Sequence, residues 1–311
     1  MCALRIRLFG AAAIFPPGAT APARLTRSTV AMLAYLLLQP RRPCARDLLL
    51  DAFWGDLSQE RARNCLNTTL WRLRRVLEPS EGDRGAYLVA TATGDVGFNW
   101  ESDHWIDVVQ FERLLAPVLA KPVETLNTAE VQAMQEALSL YQGDLLEGIY
   151  EDWALRERER LRRLYLDSLA QLMHHYAHTT AYAQGAACAR RILALDPLRE
   201  EIHRALMRLY VWAGQRTEAL RQYEECRRVL AEELAAPPME ETELLYRQIL
   251  AGATLPPLSP PRPASSRNGS SPSSGAHNLL HNIRQALRQV DQARATLQEA
   301  IRNLEEMDEE R

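Results

Sequence analysis

Between residues 60 and 77 the apolar positions recur every three to four residues. Ala62, Leu66, Thr69, Leu70, Leu73, Val76 and Leu77 fall on one stripe of a helix. Arg61, Asn64, Thr68, Arg72 and Arg75 gather on the opposite face, with Arg63, Asn67, Trp71 and Arg74 beside them. Ser58 stands where an N-cap belongs, and Glu60, the only acid of the segment, lies in the first turn, where the helix dipole favours it. The flanking stretches change period. Residues 4–10 alternate as a strand, and 11–25 read as a short second strand followed by a turn-rich connection. Residues 27–38 form a compact apolar helix, with Val30, Leu33, Ala34 and Leu37 on its buried stripe and Pro40 and Pro43 ending it. A second short helix covers 45–54. After the basic helix, Pro79 and the polar run that follows it stop the helical pattern, and 86–100 reads as two strands around a Gly94-Asp95 turn. The stretch 100–116 then passes from this hairpin into a helix, with Asp107 as its cap and Val108, Phe111, Leu114 and Leu115 on its apolar side.

From 128 to 251 the pattern is helical throughout, with breaks at Gly143, Gly185, Pro197, Gly214 and Pro237-Pro238. At a lag of 34 residues Tyr176 aligns with Tyr210, Ile192 with Cys226 and Leu195 with Val229, the period of tetratricopeptide helix pairs. The units are few and degenerate, so a compact helical-repeat domain is expected and not a long solenoid. Residues 254–276 are dominated by Pro, Ser and Gly and read as a disordered linker. In 277–311, Ile283, Val290, Leu297 and Leu304 recur every seven residues, with Ala286, Ala293, Ala300 and Met307 three positions after each. That seam predicts a coiled-coil-like helix, either pairing two chains into a homo-oligomer or docking on the chain's own body, where Leu287 and Ile301 would widen the stripe. The chain thus divides into 1–100, 101–253, 254–276 and 277–311.

Charge sharpens the division. The chain carries a net charge of −3, yet residues 1–100 hold 13 Arg against 8 Asp and Glu, so the basic excess is confined to the front end. A basic module on an otherwise acidic protein points to a polyanion partner. The five cysteines show no paired-ligand spacing, there is no signal-peptide pattern, and no stretch approaches the apolar length of a membrane span. A reduced, cytoplasmic, nucleoid-associated location with no membrane partner is expected. His174, His175 and His178 place two imidazoles one turn apart, but no Cys or carboxylate of ligand spacing accompanies them and a structural role is favoured. The run 156–163 alternates Arg with Glu157 and Glu159, the pattern of an exposed helix laced with ion pairs. No phosphate-cradling glycine loop, nucleophile elbow or metal-ligand pair is present, so neither enzyme chemistry nor a cofactor is expected.

Strands, three helices and a hairpin, in that order, predict a winged helix-turn-helix (α+β) ahead of an all-α tetratricopeptide-like domain, in a chain that is mainly α. The run from Leu25 to Pro79 contains Phe53-Trp54, Ala62-Arg63-Asn64, Leu66, Leu70, Leu73-Arg74-Arg75 and Leu77. It resembles the response-regulator-type DNA-binding domain of the Streptomyces antibiotic regulatory protein (SARP) family. Leu140-Tyr141, Gly143-Asp144, Leu146, Trp153, Asp196-Pro197, His203-Arg204, Met207, Tyr210, Gly214, Ala219-Leu220, Tyr223 and Glu233-Leu234 resemble the bacterial transcriptional activator domain that follows it in that family. One departure lies at 235–238, where Ala-Ala-Pro-Pro replaces the glycine-led turn usual there.

The resemblance implies a transcriptional regulator, most often an activator, that binds double-stranded promoter DNA. It also implies a helical domain that contacts RNA polymerase, a second protomer, or both. On the basic helix, Asn64, Asn67 and Thr68 are then expected to read bases, with Arg61 and Arg63 at the entering end and Arg72 and Arg75 on phosphates near the exit. Arg74 and Trp71 are equally open to packing or surface roles. Thr91 and Thr93 on the hairpin have hydroxyls that could meet phosphate or sugar, although strand threonines are also what β propensity supplies. The competing reading is a helical-repeat interaction protein whose winged helix docks protein and not DNA.

Overall fold

The computed structural model describes residues 4–39, 42–256 and 258. The alternation at the N-terminus becomes β1 (Leu4–Arg7), with Leu4 and Ile6 inward and Arg5 and Arg7 outward. β1 pairs antiparallel with β2 (Ala13–Phe15), placing Arg5 opposite Phe15 and Ile6 opposite Ile14. Three helices follow, α1 (Arg27–Leu38), α2 (Arg46–Trp54) and α3 (Gln59–Leu77). Then comes the hairpin of β3 (Leu88–Ala90) and β4 (Val96–Phe98), in which Leu88 faces Phe98 and Ala90 faces Val96.

The passage from hairpin to helix differs from the expectation. His104–Ile106 is a third sheet strand, β5, running parallel to β1 with Leu4 beside His104 and Ile6 beside Ile106. Three residues are too few to display a period, and what makes them a strand is the open edge of β1, a hundred residues away in sequence. Asp107 is not the cap of the next helix, α4 (Asp107–Leu115), but its first residue, with Ile106 in the N-cap position, and its carboxylate serves another purpose. It is 3% exposed and accepts hydrogen bonds from the backbone of Leu8 (2.9 and 2.8 Å), Phe9 (3.0 Å) and Val108 (2.8 Å). The end of β1 is thereby tied to the start of the helical region.

The helical region comprises α5 (Thr128–Leu140), α6 (Asp152–His178), α7 (Tyr182–Leu195), α8 (Glu200–Trp212), α9 (Arg216–Leu234) and α10 (Glu240–Leu250). Asn127 and Glu130 form a reciprocal capping box at the start of α5. From α6 onward each helix packs on the next, and the 34-residue lag maps the pair α6–α7 onto α8–α9, with Ile192 and Cys226 buried at equivalent places. Gly185 is not a break. It lies within α7, where a Cβ would meet Leu209 Cδ2 at 3.1 Å and the Met173 carbonyl at 3.3 Å, so its missing side chain lets three helices approach. Ala235 does take up the glycine-type turn, in the left-handed region at φ 51°, and its N–H bonds the Leu230 carbonyl.

One continuous core runs from Leu4 to Leu209, and a small satellite of Met207, Ala219, Tyr223, Leu245, Ile249 and Leu255 closes the far end. Leu255 has the composition of a linker around it but is buried, so the packed body continues through it. Two further contacts hold the winged helix to the helical region. The loop before α6 bonds the chain after β1, Gly10 N–H to the Asp144 carbonyl (2.8 Å) and Leu146 N–H to the Leu8 carbonyl (2.8 Å). Trp153 of α6 lies edge-on to Tyr35 of α1 (5.2 Å between centroids) and near Phe53 of α2 (6.1 Å). The arginine-glutamate run on α6 forms the pairs Arg160–Glu157 and Arg163–Glu159, while Arg158 turns inward to the carbonyls of Leu145, Leu146 and Ile149. His175 donates through Nδ1 to the Val123 carbonyl (3.1 Å). Among the described residues no group of three or more His, Cys, Asp or Glu side chains is arranged to hold a metal, and no helix is long and apolar enough to cross a membrane. The seam Ile283, Val290, Leu297 and Leu304 lies outside the described residues.

Candidate nucleic-acid interface

The helix α3 buries the stripe its period predicts. Ala62, Leu66, Thr69, Leu70, Leu73 and Leu77 are inside, packed on α1 and α2, and Thr69 satisfies its hydroxyl on the Cys65 carbonyl (2.8 Å). Ser58 occupies the N-cap position but makes no side-chain capping bond. Burial of one face fixes the rotation of the helix, so the other face is solvent by geometry. Arg61, Arg63, Asn64, Asn67, Thr68, Arg72 and Arg75 are all exposed along it.

Their surroundings separate them. Arg61, Arg63 and Arg72 have no hydrogen bond or carboxylate partner among the described residues, and their charge stands unneutralised. Arg75 lies over the ring of Trp71, 5.3 Å from its centroid, and Trp71 is itself 56% exposed. Thr68 donates its hydroxyl proton to the Asn64 carbonyl (2.8 Å) and so offers only lone pairs outward. Arg74 belongs to the scaffold: it lies 3.8 Å from Glu78, a buried carboxylate whose Oε1 accepts the backbone N–H of Tyr87 (2.9 Å) and Leu88 (2.7 Å). This link joins the end of α3 to the first strand of the wing.

The wing is braced twice more. Cys44, just ahead of α2, exchanges both backbone hydrogen bonds with Val96 (2.7 and 2.9 Å), and a Cβ at Gly97 would stand only 3.1 Å from Pro43 Cα. At the tip, Thr91 Oγ1 accepts from Asp95 N–H (3.0 Å) and lies 2.7 Å from Thr93 Oγ1, which donates to Asp95 Oδ2 (3.0 Å). Since Thr93 donates to the carboxylate, Thr91 donates to Thr93, and both hydroxyl protons are committed to the turn. To reach a phosphate, either threonine has to exchange one of these bonds.

Sequence pattern does not single out Arg46. It is the first residue of α2, and its guanidinium donates to Asn67 Oδ1 (Nη1, 2.9 Å) and to the Gly94 carbonyl (Nε, 2.9 Å). The one available signal is a cation in a first helical turn, where the dipole disfavours it.

Comparison with known proteins agrees with this geometry. Residues 20–94 match the transcriptional regulatory protein C-terminal family, and 106–250 match the bacterial transcriptional activator domain. Similar proteins include the regulatory protein AfsR of Streptomyces coelicolor, 28% identical over 71% of this chain. The transcriptional regulatory protein MoaR1 of Mycobacterium tuberculosis is 26% identical over 71% of each chain. This chain spans 22% of the AfsR length. Among solved structures, Mycobacterium tuberculosis EmbR in complex with a low affinity phosphopeptide superposes with a TM-score of 0.65 over 82% of this chain and 66% of that one, at 20% identity, which establishes a shared fold. A winged helix of the transcriptional-regulatory type thus leads directly into a bacterial transcriptional activator domain, an arrangement that supports a regulator of the SARP type.

Proposed function

We propose that this protein is a sequence-specific DNA-binding transcriptional regulator acting as an activator, in which α3 enters the major groove of double-stranded promoter DNA. The observation that carries the reading is the exposed face of α3, where arginines without carboxylate partners alternate with asparagine and threonine while the opposite face is locked in the core. Arg61, Arg63, Asn64, Asn67 and Thr68 are assigned to the bases, and Arg72 and Arg75 to phosphates. Thr91 and Thr93 shape the wing tip and approach the backbone from it. The packed helical region 106–250 serves RNA polymerase, a second protomer, or both, and the seam Ile283, Val290, Leu297 and Leu304 is assigned to homo-oligomerisation. The mechanism is equilibrium binding in the cytoplasm, with no bond made or broken and no cofactor.

The test is a mobility shift on DNA upstream of the protein's own gene, repeated at rising salt. Each phosphate neutralised steepens the slope of log K against log salt by about 0.9. Arg72→Ala should therefore make the slope shallower by about that amount on any sequence, whereas Arg61→Ala with Asn64→Ala should abolish preference for the upstream DNA. Salt-insensitive binding, or indifference to the double substitution, would favour a winged helix that docks protein instead.

A further inference from the structure

We infer that Arg46 determines base preference by holding the Asn67 amide in one orientation, so that α3 presents Asn67 to DNA as a hydrogen-bond donor. The inference rests on the reading of α3 as the helix that reads DNA. A guanidinium carries only donors, so the atom of Asn67 that lies 2.9 Å from Arg46 Nη1 is the carbonyl oxygen and the amino group points away. The same guanidinium is held from a second side, because its Nε donates to the Gly94 carbonyl at 2.9 Å. Gly94 sits at φ 89° in a turn that the Thr91–Thr93–Asp95 bonds already stiffen. Arg46, rooted in the first turn of α2, thus bridges Asn67 and the wing tip, and Asn67 is oriented by an anchor that does not itself lie on α3.

This placement changes what Asn67 recognises. An asparagine reading adenine accepts from N6 through Oδ1 and donates to N7 through Nδ2. Here Oδ1 is engaged by Arg46, and the free end of the amide is Nδ2. Nδ2 suits an edge that presents acceptors, the O6 and N7 of guanine or the O4 of thymine; adenine offers it N7 alone, and the exocyclic amino group of adenine or cytosine gives it no purchase. Asn67 is therefore a reader of guanine or thymine at its base pair, and Arg46 is a positioning residue acting through it.

The experiment uses the full chain. Selection from a randomised duplex library defines the preferred site, and competition with every single-base variant gives a preference at each position. Asn67→Ala identifies the base pair that Asn67 reads. Arg46→Ala should shift preference at that same base pair toward adenine by about tenfold, the scale of one base-directed contact. Arg46→Lys, which keeps the charge but not the fork, should do the same and serves if the alanine variant fails to fold. The double variant Arg46→Ala with Asn67→Ala should match Asn67→Ala alone in base preference. A uniform loss on all duplexes, with the salt slope shallower by about 0.9, would make Arg46 a phosphate contact. An unchanged preference would make it a tether of the wing. Either result overturns the inference. If the unsubstituted chain selects no duplex at low salt, the DNA reading itself fails, an outcome distinct from both.

Discussion

Replacing Asp107 with alanine should loosen the hold between the winged helix and the helical region, at a cost that can be worked from its partners. The carboxylate is 3% exposed, and its oxygens accept the backbone N–H groups of Leu8 and Phe9 at 2.8–3.0 Å, across nearly a hundred residues of sequence. Alanine leaves both of these long-range donors, and the N–H of Val108 beside them, without that acceptor in a dry site. Each stranded donor costs about 1–3 kcal/mol, so the two long-range donors alone put the expected loss at about 2–6 kcal/mol. Asp107→Asn keeps one acceptor oxygen but turns an amino group toward a second donor, so about half that loss is expected. Urea denaturation followed by circular dichroism and by tryptophan fluorescence reads the loss, since Trp105 precedes the carboxylate and Trp153 lies at the α1–α6 contact. Amide exchange should accelerate first at Leu8 and Phe9. The neighbouring bonds Gly10 to Asp144 and Leu146 to Leu8 should loosen with them, because they hold the same segment. A loss below about 1 kcal/mol at unchanged m would refute the reasoning, since it would mean that the two donors find other acceptors without cost.

Three further outcomes are expected. Ala235→Gly should raise the thermal midpoint, because the left-handed backbone at φ 51° disfavours a Cβ and relief is worth about 1 kcal/mol; a lower midpoint would contradict it. Gly97→Ala forces a methyl to within 3.1 Å of Pro43 Cα and should cost about 1–3 kcal/mol while weakening DNA binding through the displaced wing, read by melting and by mobility shift together. Burial holds the imidazole of His203 below its ordinary pKa, with Nε2 donating to the Pro197 carbonyl (2.9 Å) and Nδ1 accepting from Gln222 (2.7 Å). The unfolded chain then binds the proton more readily, so the contribution is fully present above the ordinary histidine value and is lost as pH falls from there through the lowered value of the folded chain. His203→Gln should flatten the acid limb of stability against pH, and an unchanged limb would exclude His203 as its source.

Much of the fold was legible in the residues because its signals are local. The stripe from Ala62 to Leu77 has a helical period long enough to recognise, and all of it but the half-buried Val76 is inside. The proline stop after residue 38, the Gly94 turn and the 34-residue lag work in the same way, each needing only a short window of chain. The arginine-rich face needed no more than the rotation that this burial imposes.

What only the tertiary structure decided involves partners distant in sequence. His104–Ile106 is a strand because the edge of β1 is open, Asp107 is a clamp because Leu8 and Phe9 end there, and Gly185 is a helix crossing because Leu209 and Met173 meet over it. The same holds within the interface. By type alone Arg46, Arg74 and Arg72 are three interchangeable cations, yet one orients Asn67, one neutralises the buried Glu78 and one faces solvent. A side chain's type records what it can bond. Which bond it makes depends on the atoms that folding brings within about 3 Å of it, and that distance is set by the packing of the whole chain.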